Sequence, residues 1–253
     1  MTSTREFSAS PRQVLWRYAT GYMPDFLNKY DGPVGWVRWA HRGVHRLDHI
    51  VFPKRQERYV HSEKFDFRVN TAFEQVVRAC ADPSRFGGRN WMVESLVGAL
   101  LELHESGHAH SWETWMNGQL VAGVWGVQIG GFVNMASMYH TVSHASKAAL
   151  GRGLLMLRER GFEWVDRGMV PNHTVDYGVE WWPRWRYERE LGRVLRQRRS
   201  IGDDARRGWA PLWIRAGSLL VRWGRALRRK LLGERMVIEP VPPEQKAREG
   251  EEA

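Results

Sequence analysis

Apolar and polar positions follow two periods in the middle of the chain, and the switches between them mark elements. Phe65-Asp-Phe-Arg-Val69 alternates with a period of two, as a half-buried strand does. Phe73, Val76, Val77 and Cys80 recur at helical spacing until Asp82-Pro83 stops the run. Met92 to Glu105 carries a second stripe, Leu96, Ala99, Leu100 and Leu103, and ends at Gly107. Alternation returns at His110-Ser-Trp-Glu-Thr-Trp115, where Asn117-Gly118 predicts a tight hairpin. Leu120 to Ile129 reads as a buried strand with Gly126 at a bulge, and Gly130-Gly131 turns it into a further strand, Phe132 to Tyr139. Ser146 to Arg160 carries Ala149, Leu150, Leu154, Leu155 and Leu157 and predicts a helix that Gly161 caps. Phe162 to Val165 is a short strand ending at Asp166. The order strand, helix, helix, strand, strand, strand, helix, strand predicts an α/β or α+β fold, a mixed sheet with helices packed on it.

The flanks read differently. Residues 1–62 hold short apolar pieces broken by Gly21, Pro24, Gly32, Pro33, Gly43 and Pro53, which argues against long helices and for a small N-terminal domain. Phe52 to His61 reads as a basic, aromatic connection into the main domain, residues 63–198. The remainder, 199–253, predicts one helix from Leu212 to Leu232 and a Pro-rich, then charged, disordered tail from Glu239. Leu212, Ala216, Leu219, Trp223, Leu227 and Leu231 share one face of that helix, and Arg215, Arg222, Arg225 and Arg229 another. Packing on the main domain or contact with RNA is favoured for it over an anionic membrane surface.

Charge narrows the partners. The 253 residues include 38 Lys and Arg against 28 Asp and Glu, a formal net charge of +10, which favours polyanions. Fourteen tryptophans add flat faces suited to stacking, although most tryptophans are large packing residues. One cysteine, Cys80, excludes an intramolecular disulfide framework and a multi-cysteine metal site. The start is polar and no run approaches the roughly 18 apolar residues of a membrane span, so a soluble, cytoplasmic protein is expected. Oligomeric state is not legible.

Three places could carry chemistry. His104, His108 and His110 lie at a helix end, its turn and a strand start, with no acidic pair to complete a metal site, so capping roles are expected. Gly151-Arg152-Gly153 sits inside a helix pattern and not at a helix N-terminus, which disfavours a phosphate or coenzyme A loop. Asp166, at the C-terminal end of a buried strand, could face a crevice or cap the next loop.

An ordered set of segments resembles one family. Phe67-Arg-Val-Asn-Thr-Ala-Phe-Glu-Gln-Val-Val-Arg-Ala-Cys-Ala81, Leu103-His-Glu-Ser-Gly-His-Ala-His-Ser111 and Gly123-Val-Trp-Gly-Val127 come first. Ser137-Met138, Ala145-Ser-Lys147, Val165-Asp166, His173-Thr174, Gly178 and Pro183-Arg184 follow. Over residues 65–195 the chain resembles the leucyl/phenylalanyl-tRNA–protein transferases, with a looser match at Gly21-Tyr-Met-Pro24, Trp36 and Arg42. The resemblance implies an acetyltransferase-like domain behind a small N-terminal one, and transfer of Leu or Phe from aminoacyl-tRNA to the N-terminal amine of an acceptor protein. That acceptor would begin with Lys or Arg and be marked for N-end-rule degradation. No metal or coenzyme is implied.

Position by position, Asp166 matches the family's strand-end aspartate, Trp91 a tryptophan at the terminal adenosine, and Val124, Met138 and Leu150 the side-chain pocket; without the resemblance, those three read as core. Met135-Ala136-Ser137-Met138 stands where the family has Gly-Glu-Ser-Met, so Ala136 replaces a glutamate that helps handle the acceptor. Gly168 replaces a glutamine, Asp25 a tryptophan, and Gly98 and Leu100 a glutamate and a tyrosine, while Arg167 adds a positive charge. Two readings follow: an aminoacyl-tRNA-dependent transferase, or an impaired or repurposed relative that binds tRNA or another polyanion without transfer.

Overall fold

The computed structural model describes residues 7–27, 32–169 and 177–202. Helix α1 (Pro11–Ala19) starts where Ser10 accepts from the Gln13 amide and Pro11 supplies a pre-set first turn. A hairpin of β1 (Met23–Phe26) and β2 (Val34–Val37) follows, then β3 (His41–Arg46) and helix α2 (Lys54–Val60). The rest is β4 (Asp66–Val69), α3 (Phe73–Ala81), α4 (Glu94–Glu105), β5 (Ala109–Met116), β6 (Gln119–Ile129), β7 (Phe132–His140), α5 (Ala145–Glu159), β8 (Trp164–Gly168), β9 (Val179–Pro183) and α6 (Arg184–Val194).

Among the described residues seven strands form one mixed sheet in the order β4-β5-β6-β7-β8-β3-β9, antiparallel except for β7 and β8. The α+β reading therefore holds. Helices α1, α3, α4 and α6 bury their stripes on one face, here the front, around Tyr18, Val76, Leu100 and Leu191. Helices α2 and α5 cover the back with Val60, Ala149, Leu154 and Leu157. Asn117 and Gly118 both adopt positive φ, 51° and 75°, as the tight β5–β6 turn requires.

Three expectations change. Lys54–Val60 is a helix and not a connection; among its described side chains only Val60 is buried, so no apolar stripe announced it. Strand β3, from within residues 1–62, lies inside the main sheet between β8 and β9, because the breakers around it mark turns. Strand β9 and helix α6, which no periodicity announced, complete the sheet and its front layer. The helix expected over 212–232 and the tail lie outside the described residues.

Candidate functional site

Strands β7 and β8 run parallel, and among the described residues they pair at one position, Asn134 against Asp166. Immediately beyond it the β6–β7 register slips, with Gly126 opposite Met135 and Trp125 opposite Ser137. A bulge bends the strand that carries it. The C-terminal ends of the two parallel strands, Met135–Met138 and Arg167–Gly168, therefore flank an opening in the sheet. Ligands commonly sit at such strand ends.

Asp166 does not look into that opening. Its carboxylate points to the front face and is fully buried. Oδ1 accepts from Arg42 Nε at 3.2 Å and from the Gly168 amide at 2.8 Å; Oδ2 accepts from Tyr187 Oη at 2.9 Å and pairs with Arg42 Nη2. Burial alone would lower the Arg42 pKa, but the adjoining Asp166 charge raises it above its ordinary value, so the ion pair stays charged. Burial, together with the Asp166 charge, pushes the Tyr187 and Tyr18 hydroxyls well up, so both remain neutral, and Tyr187 donates to Asp166. Arg42 Nη1 also reaches the Gly21 carbonyl at 3.3 Å, tying the N-terminal segment to the sheet. Of the two readings the sequence left open, the Gly168 amide bond fits loop capping, and Asp166 forms a closed knot of β8, β3 and α6. A strand-end position fixes where a residue sits but not which partner it meets.

The expected pocket residues lie on the other face. Val124, Met135, Leu150 and Met138 gather in the back core under α5. Val124 and Met135 are fully buried and Met138 is partly so. The Met135 methyl lies 3.0 Å from where a Cβ on Gly153 would stand, so the thioether fills the space beneath α5 beside Trp112. Arg167 also points backward, and its Nη1 donates to the Met135 carbonyl at 2.9 Å across the opening. Burial pulls its pKa down to about 10, partly offset by Asp166. Next to it His45 is neutral: burial and then the Arg167 charge lower its pKa to about 3.

Trp91, Ala136 and Ser137 belong to the front. Trp91 packs 6.1 Å from Trp125, and Ala136 touches the same core. Ser137 bonds Cys80, whose thiol burial pushes up to about 12, too high to act as a thiolate. The residues flanking Trp91 line a cleft of about 600 Å³ whose opposite wall is the β1–β2 hairpin, with Phe26, Pro33, Val34, Arg89 and Asn90 on its surface. The sheet therefore separates Trp91 and Asp166 from Val124, Met138 and Leu150.

The other candidates have structural work. His104 Nδ1 meets the Ala109 carbonyl at 2.9 Å and its ring stacks on Phe73; His108 Nδ1 meets the Gln128 carbonyl and His110 Nε2 the Gly107 carbonyl. Gly151 and Gly153 let α5 approach Val60 and Trp112, and Arg152 donates to the carbonyls of Val60, Ser62 and Phe65, each at 2.6 Å. Sequence reasoning passed over Tyr187, Glu113 and His45. Glu113 is fully buried and accepts from Ala72 N, Ser111 Oγ and Trp115 Nε1, capping α3, whose N-cap is an alanine. A charged residue on the inward side of an alternating strand was the available signal for it.

A family model for leucyl/phenylalanyl-tRNA protein transferase matches residues 44–192. The leucyl/phenylalanyl-tRNA–protein transferase of Gloeobacter violaceus is 36% identical over 187 residues, 74% of this chain and 94% of that one. Its counterpart from Paramagnetospirillum magneticum is 32% identical over 196 residues, 78% of this chain and 94% of that one. Among solved structures, that of L-PGS from Bacillus licheniformis aligns at a TM-score of 0.39 and 14% identity, covering 61% of this chain and 50% of that one. On the span of the family match and the identity of these relatives, the chain belongs to the leucyl/phenylalanyl-tRNA–protein transferases, a family of aminoacyltransferases.

Proposed function

We propose that the chain transfers Leu, Phe or a related amino acid from its tRNA to the N-terminal amine of an acceptor protein, which marks that protein for degradation. The observation that carries this reading is the opening between β7 and β8, flanked by Met135–Met138 and Arg167–Gly168. In the step, the acceptor's neutral α-amine attacks the ester carbonyl, a C–N bond forms and the C–O bond to the terminal ribose breaks. The ribose oxygen leaves with the proton that the amine gives up. A free α-amine titrates near pH 8, so part of it is already neutral at physiological pH. Catalysis then rests on orientation and exclusion of water.

Asp166 serves as a positioning residue. Four donors occupy its oxygens, and through them it fixes the tail of β8 at the opening. Trp91 packs beneath the front cleft, whose walls of Phe26, Arg89 and Asn90 are the surface open to the terminal nucleoside. Met135 and Met138, unbranched thioethers, can re-pack around an incoming Leu or Phe side chain. Family resemblance implies an acceptor beginning with Lys or Arg; the charges at the opening weigh against that choice.

The test is a transfer assay with labelled Leu-tRNA and Phe-tRNA and a panel of peptides that differ only in the first residue. Label appearing in peptide, abolished by blocking its α-amine, supports the reading. Binding of tRNA without transfer to any N-terminus overturns it in favour of a binding protein.

A further inference from the structure

Consecutive side chains of β8 carry opposite charges to opposite faces. Arg167 lies on the back face, partly buried, and one of its N–H groups holds the Met135 carbonyl at 2.9 Å. Among the described residues no carboxylate lies within ion-pair distance of it. Asp166, one residue away, is already paired with Arg42 on the front. His45 beside it contributes no negative charge, and Met135–Met138 across the opening contains no acidic residue. A guanidinium presents five donors in a fixed fork that fits a carboxylate. A partly buried charge without a counter-charge carries a desolvation cost, which an incoming anion would offset.

The two proposed substrates differ in what they bring. The esterified end of the donor carries no anion; its nearest phosphate lies beyond the terminal nucleoside. The first side chain of the acceptor, by contrast, is attached to the same carbon as the attacking amine. We infer that Arg167 selects acceptors whose first residue is Asp or Glu, by pairing with the side-chain carboxylate at the opening between β7 and β8. This rests on the transferase reading and names its acceptor class. A cationic first residue would meet Arg167 with no described anion beside it.

The experiment uses the full chain, charged tRNA and peptides beginning with Asp, Glu, Ala, Lys or Arg. Expected is a kcat/KM for the Asp and Glu peptides at least about tenfold above that for Lys and Arg, the scale of one charge-assisted hydrogen bond. Arg167→Gln should reduce the preference to within about threefold, Arg167→Glu should reverse it, and Arg167→Lys should retain part of it. The KM for tRNA should not move. A wild-type preference for Lys or Arg, an equal loss across all peptides in Arg167→Gln, or a raised tRNA KM (the sign of a phosphate contact) each overturns the assignment.

Fluorescence anisotropy with labelled Asp-leading and Arg-leading peptides separates the two levels. Arg167-dependent binding of the acidic peptide without transfer keeps the recognition and removes the transferase. Transfer without Arg167-dependent selection does the reverse.

Discussion

Asp166 and Arg167 are neighbours on one strand, yet they face unlike surroundings. Asp166 turns to the front, where Arg42, Tyr187 and the Gly168 amide satisfy both oxygens in a site closed to water. Arg167 turns to the back, where a carbonyl takes one donor and His45 gives no counter-charge. The first arrangement is complete within the chain and serves folding. The second has no carboxylate among the described residues and leaves the cation open to a partner. A charged residue at a candidate site therefore reads differently according to whether its partner is internal.

The largest effect separates these roles. Asp166→Ala leaves Arg42 buried and unpaired, and should cost about 3–5 kcal/mol of unfolding free energy by denaturant titration. If activity vanishes while stability holds, Asp166 belongs with the reacting groups and the contrast fails. Acid should act on the back face through His45. Its folded pKa, about 3, lies below the ordinary value near 6.5, so the unfolded state binds more protons between these limits. Stability is full above pH 6.5 and falls as pH drops toward 3, by about 2 kcal/mol at pH 5 for this one residue. In His45→Gln the loss of stability between pH 7 and pH 5 should shrink by about that amount.

Arg167→Met should be neutral or stabilising by about 1 kcal/mol, since it removes a cation that lacks a counter-ion. A large destabilisation, seen as a lowered denaturation midpoint, would show that the Met135 carbonyl bond outweighs the desolvation cost. The smallest effect lies outside both faces. Trp185 is 65% exposed, and Trp185→Ala should change stability by less than about 0.5 kcal/mol.

Much of this was legible in the residues, for identifiable reasons. The run from β4 to β8 announced itself because one face of each element is apolar at the right period, as in the Leu96-Ala99-Leu100-Leu103 stripe. Helix α6 escaped because only Tyr187, Leu191 and Val194 of its eleven residues are buried amid arginines. Strand β9, Val-Glu-Trp-Trp-Pro, has no clean alternation. At the site, period two requires Asp166 and Arg167 to oppose each other. Which one meets a partner depends on Arg42, 124 positions away, and local pattern carries no information about that distance. The Val124, Met138 and Leu150 grouping was recoverable through family likeness; its separation from Asp166 by the thickness of the sheet was not.

One missing carbon atom governs the breach in the sheet. A methyl group on Gly126 would stand 1.7 Å from the backbone oxygen of Asn134, a collision that no side-chain adjustment relieves. Any larger residue at 126 would have to push β7 sideways where it parts from β8, shifting Met135 and the carbonyl that Arg167 grips. The aperture thus has its hinge pin on the neighbouring strand, and an enlarged or narrowed mouth could be engineered there without altering a single group on its rim.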